Sequence, residues 1–320
     1  MSKPLPAACW VIHDGAAGNR RQAQALADAL GLPNREWALA AGSMGRWLAP
    51  RTFPGSDAAF GQEFAEALRQ SPPVVAIGCG RLAALATRQA RAAGARAVQI
   101  LDPRISSKHW DLVIAPEHDG LSGANVITMI GSLNPVDAEW LLRARQRFPQ
   151  PATLAQPRTA VLLGGPTGAT RFDRSALEVL LGKLEYWLAR DGGSVLICGS
   201  RRTPIEWAAL IRDRYRGADN LVWMDPSDGD NPYPAALAWA DRIIVSPDSV
   251  NMISEACGTS VPVYVAEPER ATGRIHRFIM SLQTRHRVRP QVRDALPFVA
   301  APLEETQRVA TLVRERLSLR

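Results

Sequence analysis

The chain has 320 residues, which is more than a single hydrophobic core usually accommodates and is sufficient for two. Apolar residues make up 46% of the chain and charged residues 22%, a composition that excludes disordered and fibrous classes. No apolar run approaches the ~20 residues that a membrane-spanning helix needs, and the first residues lack the apolar region of a signal peptide. The composition therefore predicts a globular, cytoplasmic protein of two domains.

The net charge of +7 is concentrated near the end of the chain, where residues 270–293 contain seven Arg and no acid. Such a segment favours anions, either phosphates or acidic lipid headgroups, and the alternative is a solvated helix face. Few aromatic residues accompany these charges, so nucleic acid is not expected as a partner. Arg274 and Arg277 lie beside an apolar stripe at helical spacing, which predicts weak, salt-sensitive contact with an anionic membrane. The stripe could instead pack on the second domain.

Four cysteines lie far apart in apolar runs, without a C-x-x-C spacing. This pattern predicts buried, reduced thiols, as expected in the cytoplasm, and neither disulfides nor a metal site. No other group of residues has the spacing of metal ligands.

Short apolar strands alternate with helices along the first half. The pattern predicts strands over 8–12, 74–77, 97–101, 111–115 and 126–130. Asn19 is positioned to cap the first helix, and Gly31 to end it. Strands that are apolar on both faces, with helices between them, indicate a parallel sheet covered on both sides.

Residues 148–157 contain three prolines and no apolar period, and this segment is predicted to be an interdomain linker. After it the alternation resumes, with strands over 159–163, 195–198, 221–224, 243–245 and 261–265. An amphipathic helix follows near the end of the chain. The predicted limits are therefore a first Rossmann-like domain over 1–148, a second over 158–298, and a terminal helix over 299–320 that returns to the first.

The sequence GGPTGAT over 164–170 follows a strand and precedes a helix. Glycines at such a position let backbone N–H groups approach an anion, although the lysine of a P-loop is absent. A tight turn without a ligand is the alternative. Arg201 and Arg202 end the next strand, where they could clamp a diphosphate or be ordinary surface residues.

The segment over 246–258 follows another strand, and Ser249 is positioned to cap its helix. The unpaired N–H groups of the first turn can bind an anion. Glu255 lies among apolar residues of this helix, where a carboxylate can accept both hydroxyls of a ribose. A surface glutamate is the alternative.

Three motifs of the first half have less specific patterns. The sequence GCGRLA over 78–83 matches a relaxed dinucleotide fingerprint, with Asp102 at the end of the next strand, and would suit a nicotinamide-dependent enzyme. His13-Asp14 and His118-Asp119 each end a strand, where they are candidate general bases or hydrogen-bonded loop residues.

These motifs resemble the elongated-mitochondria (mitochondrial fission) family. The resemblance rests on VIHDG over 11–15 with Gly18, Asn19 and Gln22, on DPR over 102–104, on PEHD over 116–119, and on the two motifs of the second half. Bacterial members of that family are described as predicted nucleoside-diphosphate-sugar epimerases. Plant members act at the mitochondrial surface as recruiters of a dynamin-related partner.

The second half also resembles the GT-B glycosyltransferases. The loop over 164–169 is similar to the glycine-rich loop of the lipid II N-acetylglucosaminyltransferase, and the segment over 249–263 is similar to its nucleotide-binding helix. The resemblance implies an α/β, GT-B-like fold of two Rossmann-like domains facing a cleft. In that fold the C-terminal helix crosses back to the first domain.

From these motifs and resemblances we expect a nucleotide-sugar ligand, UDP-linked, with no further cofactor and no metal. The expected binding residues are Gly165, Thr167, Gly168, Arg171, Arg201, Ser249, Asn251 and Glu255. The expected catalytic residues are His13, Asp14 and Asp119. Glycosyl transfer or epimerisation would be the reaction, and the alternatives are a non-catalytic recruitment protein and a nicotinamide-dependent enzyme.

Overall fold

The computed structural model describes residues 8–40, 42–52 and 54–319. The predicted absence of a signal region concerns residues 1–7, which lie outside the described residues. Two six-stranded sheets form the framework, and every strand pair in both is parallel. The prediction of an α/β protein with two Rossmann-like parallel sheets is confirmed.

The first sheet has the strand order β2-β1-β3-β4-β5-β6. Its strands are β1 (Cys9–His13), β2 (Asn34–Ala38), β3 (Val75–Cys79), β4 (Arg96–Ile100), β5 (Leu112–Pro116) and β6 (Val126–Met129). Its helices are α1 (Ala17–Ala29), α2 (Ser43–Leu48), α3 (Gln62–Gln70) and α4 (Arg81–Ala92). Short 3-10 helices at Ser56–Ala58, Ser107–His109 and Glu117–Asp119 complete this half.

The second sheet has the strand order β12-β11-β10-β7-β8-β9. Its strands are β7 (Arg158–Leu162), β8 (Ser194–Cys198), β9 (Leu221–Trp223), β10 (Arg242–Val245), β11 (Val263–Val265) and β12 (Val288–Pro290). The helices of this half are α5 (Ala138–Arg147), α6 (Arg174–Asp191), α7 (Ile205–Tyr215), α8 (Tyr233–Trp239), α9 (Val250–Cys257) and α10 (Gly273–Thr284), and the last helix of the chain is α11 (Glu305–Leu317). Further 3-10 helices are Gln150–Thr153, Pro226–Asp228 and Pro268–Arg270.

The chain divides into two compact units, the first comprising Met1–Pro135 with Glu305–Arg320 and the second Val136–Glu304. Helix α11 belongs to the first unit because its apolar side chains are buried with those of α1 and the first sheet. These side chains are Val309, Ala310, Val313 and Leu317. Helix α5 belongs to the second unit, so the division differs from the predicted limits of 1–148 and 158–298.

The proline-rich segment over 148–157 is folded within the second unit, so its prediction as an interdomain linker is wrong. The Phe148 carbonyl accepts the indole N–H of Trp239 at 2.8 Å. The Ala155 carbonyl accepts the Ser194 hydroxyl at 2.7 Å, and Pro151 is buried. Prolines in this segment therefore shape a packed connection instead of a mobile one.

The start of α1 also differs from the sequence prediction. The helix begins at Ala17, with Ala16 as a cap residue that offers no side-chain hydrogen bond. Asn19 lies inside the first turn, and its amide donates to the Asp14 carboxylate instead of capping the helix. The prediction of Asn19 as the N-cap is therefore wrong.

Candidate functional site

Each sheet has one point at which the direction of strand order reverses, and ligands of open parallel sheets bind outside the carboxyl ends of the strands at that point. In the first sheet the point lies between β1 and β3, and in the second it lies between β7 and β10. The predicted site residues lie at the ends of strands β1 and β5 of the first sheet and of β7, β8 and β10 of the second, or in the loops that follow them.

The two glycines after β7 lie against neighbouring loops. A Cβ at Gly164 would lie 1.9 Å from Asp248 Oδ2, and a Cβ at Gly165 would lie 1.9 Å from the Arg202 carbonyl oxygen. The Gly164 N–H donates to the Ser246 hydroxyl at 2.8 Å, and the Gly165 N–H donates to Asp248 Oδ2 at 3.2 Å. Close packing therefore accounts for glycine at both positions. The Gly165 N–H, which was predicted to bind phosphate, is instead hydrogen-bonded to the Asp248 carboxylate.

Asp248 is a functional candidate that was not predicted from the sequence, although it lies inside the motif over 246–258. Its side chain is fully buried and accepts the Ser246 hydroxyl at 2.6 Å. Arg202 Nη2 also donates to Asp248 Oδ2, which makes a charged pair at the edge of the sheet. Arg201, the residue predicted to bind phosphate, is exposed and has no side-chain hydrogen bond to any residue that the structure describes.

Helix α9 begins as predicted. Ser249 is its N-cap, and the Ser249 hydroxyl accepts the Met252 N–H at 3.3 Å. Asn251 lies in the first turn and is half-buried. The first-turn N–H groups of a helix that follows a strand at the reversal point are suited to an anion.

Glu255 is only 2% exposed, so it is not the surface residue of the alternative interpretation. Its Oε2 accepts the hydroxyl of Tyr233, the first residue of α8, at 2.5 Å. Because a buried carboxylate needs polar partners, Tyr233 stabilises Glu255 and fixes its orientation. Sequence spacing gave no signal for Tyr233, which precedes Glu255 by 22 residues.

The remaining glycine-loop residues form a turn held by the segment before α10. Thr167 and Thr170 share a hydrogen bond between their hydroxyls at 2.9 Å, and Gly168 at the turn has open space around it. The Thr272 N–H donates to the Ala169 carbonyl at 2.8 Å, and the Arg171 N–H donates to the backbone of the same segment. This turn is therefore ordered, with the exposed Arg171 at its end.

In the first unit, His13 is almost completely buried at the end of β1. Its Nδ1 accepts the Gly15 N–H at 3.0 Å, so the ring proton lies on Nε2 and is donated to Glu36 Oε1 at 2.8 Å. Hydrogen bonds from Arg20 and then from His13 hold the pKa of Glu36 below its usual range. Because both ring nitrogens of His13 are bonded, this geometry favours Asp14 over His13 as a proton acceptor.

Asp14 and Asn19 fill the space beside the loop after β3. Asn19 Nδ2 donates to Asp14 Oδ1 at 2.9 Å and to Oδ2 at 3.1 Å. A Cβ at Gly80 would lie 2.5 Å from Asn19 Nδ2 and 3.1 Å from Asp14 Oδ2. A pyrophosphate at this loop would meet a carboxylate, so the geometry disfavours the nicotinamide alternative.

Two other predicted acids of the first unit are embedded in local structure. Asp102 accepts the Arg104 N–H at 2.8 Å and forms an ion pair with the Arg104 side chain at 3.4 Å. Asp119 ends the 3-10 helix that follows β5 and is half-buried. Of the predicted catalytic residues, His13 is the last residue of β1, Asp14 comes directly after it, and Asp119 follows β5.

The basic segment over 270–293 has structural partners that the sequence did not indicate. Arg287 is 5% exposed and donates to the carbonyls of Ala256, Cys257 and Thr259 at the end of α9. These carbonyls end a helix, where a positive charge is favourable. The Arg289 Cζ lies 4.4 Å from the centre of the Phe298 ring, in cation–π geometry.

The apolar stripe of α10 is buried within the second unit. This agrees with the alternative that the stripe packs on the second domain instead of facing a membrane. Its side chains are Ile275, Phe278, Ile279 and Leu282, each at most 7% exposed. The apolar stripe is therefore not exposed to a membrane. Contact with an anionic membrane stays a prediction, and it now rests only on the positive charge of the segment. No helix within residues 8–40, 42–52 and 54–319 is long and apolar enough to span a bilayer.

All four cysteines are free and buried, as predicted. Burial raises the pKa of the Cys9 and Cys198 thiols to about 12 and that of Cys257 to about 11. Such thiols are protonated and unreactive at neutral pH. In the described part of the chain, no group of three His, Cys, Asp or Glu side chains could hold a metal ion.

A family model described as Mitochondrial fission ELM1 matches residues 17–317. Mitochondrial fission protein ELM1 of Arabidopsis thaliana is 29% identical over 280 residues, which cover 78% of this chain and 65% of that protein. An uncharacterized protein of Rickettsia prowazekii (strain Madrid E) is 24% identical over 213 residues, covering 63% and 58% of the two chains. This chain thus spans less than two thirds of the length of either relative.

Among solved structures, UDP-GlcNAc 2-epimerase from Methanocaldococcus jannaschii is similar, with a TM-score of 0.57, 12% identity, and coverage of 96% of this chain and 99% of that one. A putative UDP-N-acetylglucosamine 2-epimerase from Listeria monocytogenes gives 0.53 at 11% identity, covering 97% of each chain. The S. aureus MnaA-UDP co-structure gives 0.50 at 11% identity, covering 98% and 97%. At these identities the likeness shows the fold alone, and the predicted GT-B-like fold is confirmed.

Proposed function

This chain belongs to the mitochondrial fission ELM1 family, and from that premise we propose that it binds a nucleotide-sugar through its second unit. The observation that carries the proposal is α9, which follows β10 at the reversal point, is capped by Ser249 and bears the buried acid Glu255. UDP is the nucleotide we propose, because the S. aureus structure of the same fold is a complex with UDP.

Each part of the proposed site has a chemical role. The first-turn N–H groups of α9, near Asn251, would bind phosphate oxygens through their positive helix end. The Glu255 carboxylate, oriented by Tyr233, would accept ribose hydroxyls. The turn with Thr167, Gly168 and Arg171 would contact the diphosphate or the sugar. Gly165 contributes by allowing the loops to pack closely.

The reaction we propose is glycosyl transfer or epimerisation, with Asp14 and Asp119 as the candidate acid–base groups. No further cofactor and no metal are required for either reaction in this proposal. A non-catalytic binding and recruitment protein is the second candidate. The hydrogen bonds on both nitrogens of His13 favour this second candidate, because they remove the most common general base from the predicted catalytic set.

Thermal unfolding with added ligands tests nucleotide binding. A ligand that binds only the folded chain, at a hundredfold excess over its Kd, adds about 2.7 kcal/mol to the unfolding free energy. We expect UDP and UDP-GlcNAc to raise the melting temperature and NAD to leave it unchanged. Stabilisation by NAD alone would instead support the nicotinamide-dependent alternative.

Glu255→Gln tests the proposed ribose contact. The substitution should weaken UDP binding by about 1.5–3 kcal/mol in calorimetry, the range for a hydrogen bond to a charged group. Glu206→Gln is the matched control, because Glu206 is an exposed residue of α7 in the same unit. Equal affinities of the two variants would remove Glu255 from the site.

A further inference from the structure

The loops after β7, β8 and β10 converge on the Asp248 carboxylate. This side chain has no exposed surface, and it accepts hydrogen bonds from the Ser246 hydroxyl, the Gly165 N–H and the Arg202 guanidinium. The Thr203 hydroxyl donates to the Gly164 carbonyl at 2.7 Å and ties the loop after β8 to the same point. Asp248 therefore connects three loops at the carboxyl edge of the second sheet.

A buried carboxylate is costly unless it is paired, and removal of its cationic partner leaves an uncompensated charge. Asp248 thus holds Arg202 in one orientation. The Arg202 side chain nevertheless remains 48% exposed, and only one hydrogen bond of its guanidinium, the one to Asp248, links it to the described residues. The remaining guanidinium N–H groups are available to a ligand from solvent.

An arginine that is held by one N–H loses less side-chain entropy on binding an anion than a free arginine does. Arg201 is the contrasting neighbour, because it is exposed and has no such anchor among the residues described. Asp248 also occupies the Gly165 N–H, so a phosphate that approaches this edge finds the Arg202 guanidinium instead of that amide.

We propose that Arg202 is a further residue that binds the phosphate of the ligand, beside the first turn of α9, and that Asp248 is the residue that positions Arg202. The identity of the ligand as UDP rests on the proposed function, whereas the anion site rests on the contacts of Asp248. Any ligand with a diphosphate group, including inorganic pyrophosphate, should therefore detect the site.

Calorimetric titration of the full chain with UDP, uridine and inorganic pyrophosphate tests the role of Arg202. Arg202→Gln should weaken UDP and pyrophosphate binding by about tenfold or more, since charge-assisted hydrogen bonds to phosphate are lost. Uridine binding should stay unchanged, because uridine has no phosphate. Arg201→Gln is the comparison variant, because Arg201 is the neighbouring arginine without the Asp248 contact, and it should weaken UDP and pyrophosphate binding less than Arg202→Gln does.

Asp248→Asn tests whether Asp248 positions the Arg202 side chain. Removal of a negative charge near a phosphate would by itself strengthen binding. If Asp248 acts by holding Arg202, UDP binding should instead weaken by about fivefold, and Asp248→Asn in the Arg202→Gln variant should cause no further loss. Ser246→Ala removes the hydroxyl that donates to Asp248 and that also accepts the Gly164 N–H. It should give the same coupling to Arg202 and serves where Asp248→Asn does not fold.

Equal losses from Arg201→Gln and Arg202→Gln, tighter UDP binding by Asp248→Asn, or additive losses in the double variant would overturn the inference. A wild-type chain that binds pyrophosphate but neither UDP nor uridine would contradict the nucleotide proposal and support the anion site. Equal affinity for UDP and uridine would contradict the anion site and support nucleotide binding. Binding of none of the three ligands would overturn both.

Discussion

The buried guanidinium of Arg242 is balanced by a small set of specific contacts. Its Nε donates to the Thr159 hydroxyl at 2.8 Å, its Nη1 donates to Asp191 Oδ2, and its Cζ lies 4.8 Å from the ring centre of Trp187. Asp191 also accepts two hydrogen bonds from Arg190. Because Arg242 is only 7% exposed, the Asp191 charge is needed to keep it paired.

Asp191→Asn should lower the free energy of unfolding by about 1.5–3 kcal/mol at pH 7, the range for hydrogen bonds to charged groups. Arg190 and Arg242 hold the pKa of Asp191 well below its usual range. A carboxyl group with a lowered folded-state pKa stabilises the fold above its unfolded pKa of about 3.9, and this contribution is lost as the pH falls. Urea unfolding at several pH values measures both effects.

The difference in unfolding free energy between Asp191→Asn and the wild type should therefore become smaller below about pH 4. Asp219→Asn is the matched control, because Asp219 is exposed in the same unit, and it should be neutral throughout. A difference that stays constant down to pH 3 would show that Asp191 acts by shape and not by charge.

Residues that act through local geometry were predictable from the sequence, and residues that act through tertiary contacts were not. Ser249 caps α9 as predicted because its role depends only on the next three residues. Asp248 and Tyr233 escaped prediction because their partners come from other loops and helices. Asn19 was assigned to a cap, but the nearby Asp14 carboxylate competes for its amide.

In the glycine-rich loop after β7, Gly164 is closely packed, whereas Gly168 has open space around it. A Cβ at Gly164 would lie 2.2 Å or less from both carboxylate oxygens of Asp248, whereas a Cβ at Gly168 would meet no atom within 4 Å. Gly164→Ala should therefore destabilise the second unit by several kcal/mol, about as much as other overpacked or strained sites, or prevent folding.

Gly168→Ala is the matched variant and should change stability by less than about 0.5 kcal/mol, as is usual for open surface positions. Thermal unfolding of both variants without ligand makes the comparison. Equal stability of the two would mean that the loop relaxes freely around Asp248, and the glycines would then be explained by ligand binding instead of packing.

Apolar strands were predicted to within one or two residues, because buried parallel strands are continuous apolar runs. Strands β2 and β12 were missed because each is an edge strand with a single buried residue, Trp37 in β2 and Val288 in β12. The segment over 148–157 was misassigned because its prolines suggest a linker, whereas its carbonyls bond to β8 and α8 side chains. The polarity of a segment does not reveal which side chains elsewhere in the chain will cover it.

For the whole molecule, the resemblance to the mitochondrial fission family is confirmed, and the fold that it implied is present. The first unit is discontinuous in sequence, because α11 joins residues that precede Val136. The Asn134 N–H donates to the Thr306 hydroxyl at 3.0 Å, and that hydroxyl donates back to the Asn134 carbonyl at 2.7 Å. The two segments of this unit therefore meet where the chain leaves it and returns.

We expect the second unit, residues 136–304, to fold alone, and residues 1–135 alone to remain unfolded. Without α11 the first unit loses Val309, Val313 and Leu317, each of which stabilises it by about 1.5–3 kcal/mol when fully buried. This sum is comparable to the whole stability of a small domain, about 5–15 kcal/mol. Far-UV circular dichroism with urea unfolding measures whether each fragment folds cooperatively.

A rescue variant makes the test specific to α11. Because the Asn134 and Thr306 hydrogen bonds bring the two segments together, a short Gly-Ser linker from Pro135 to Glu305 should restore cooperative unfolding to the first unit. Val309→Asp in the linked variant is the control and should abolish the rescue, since it buries an unpaired charge. Cooperative unfolding of residues 1–135 without α11 would contradict the prediction, and the terminal helix would then be an accessory to an already complete core.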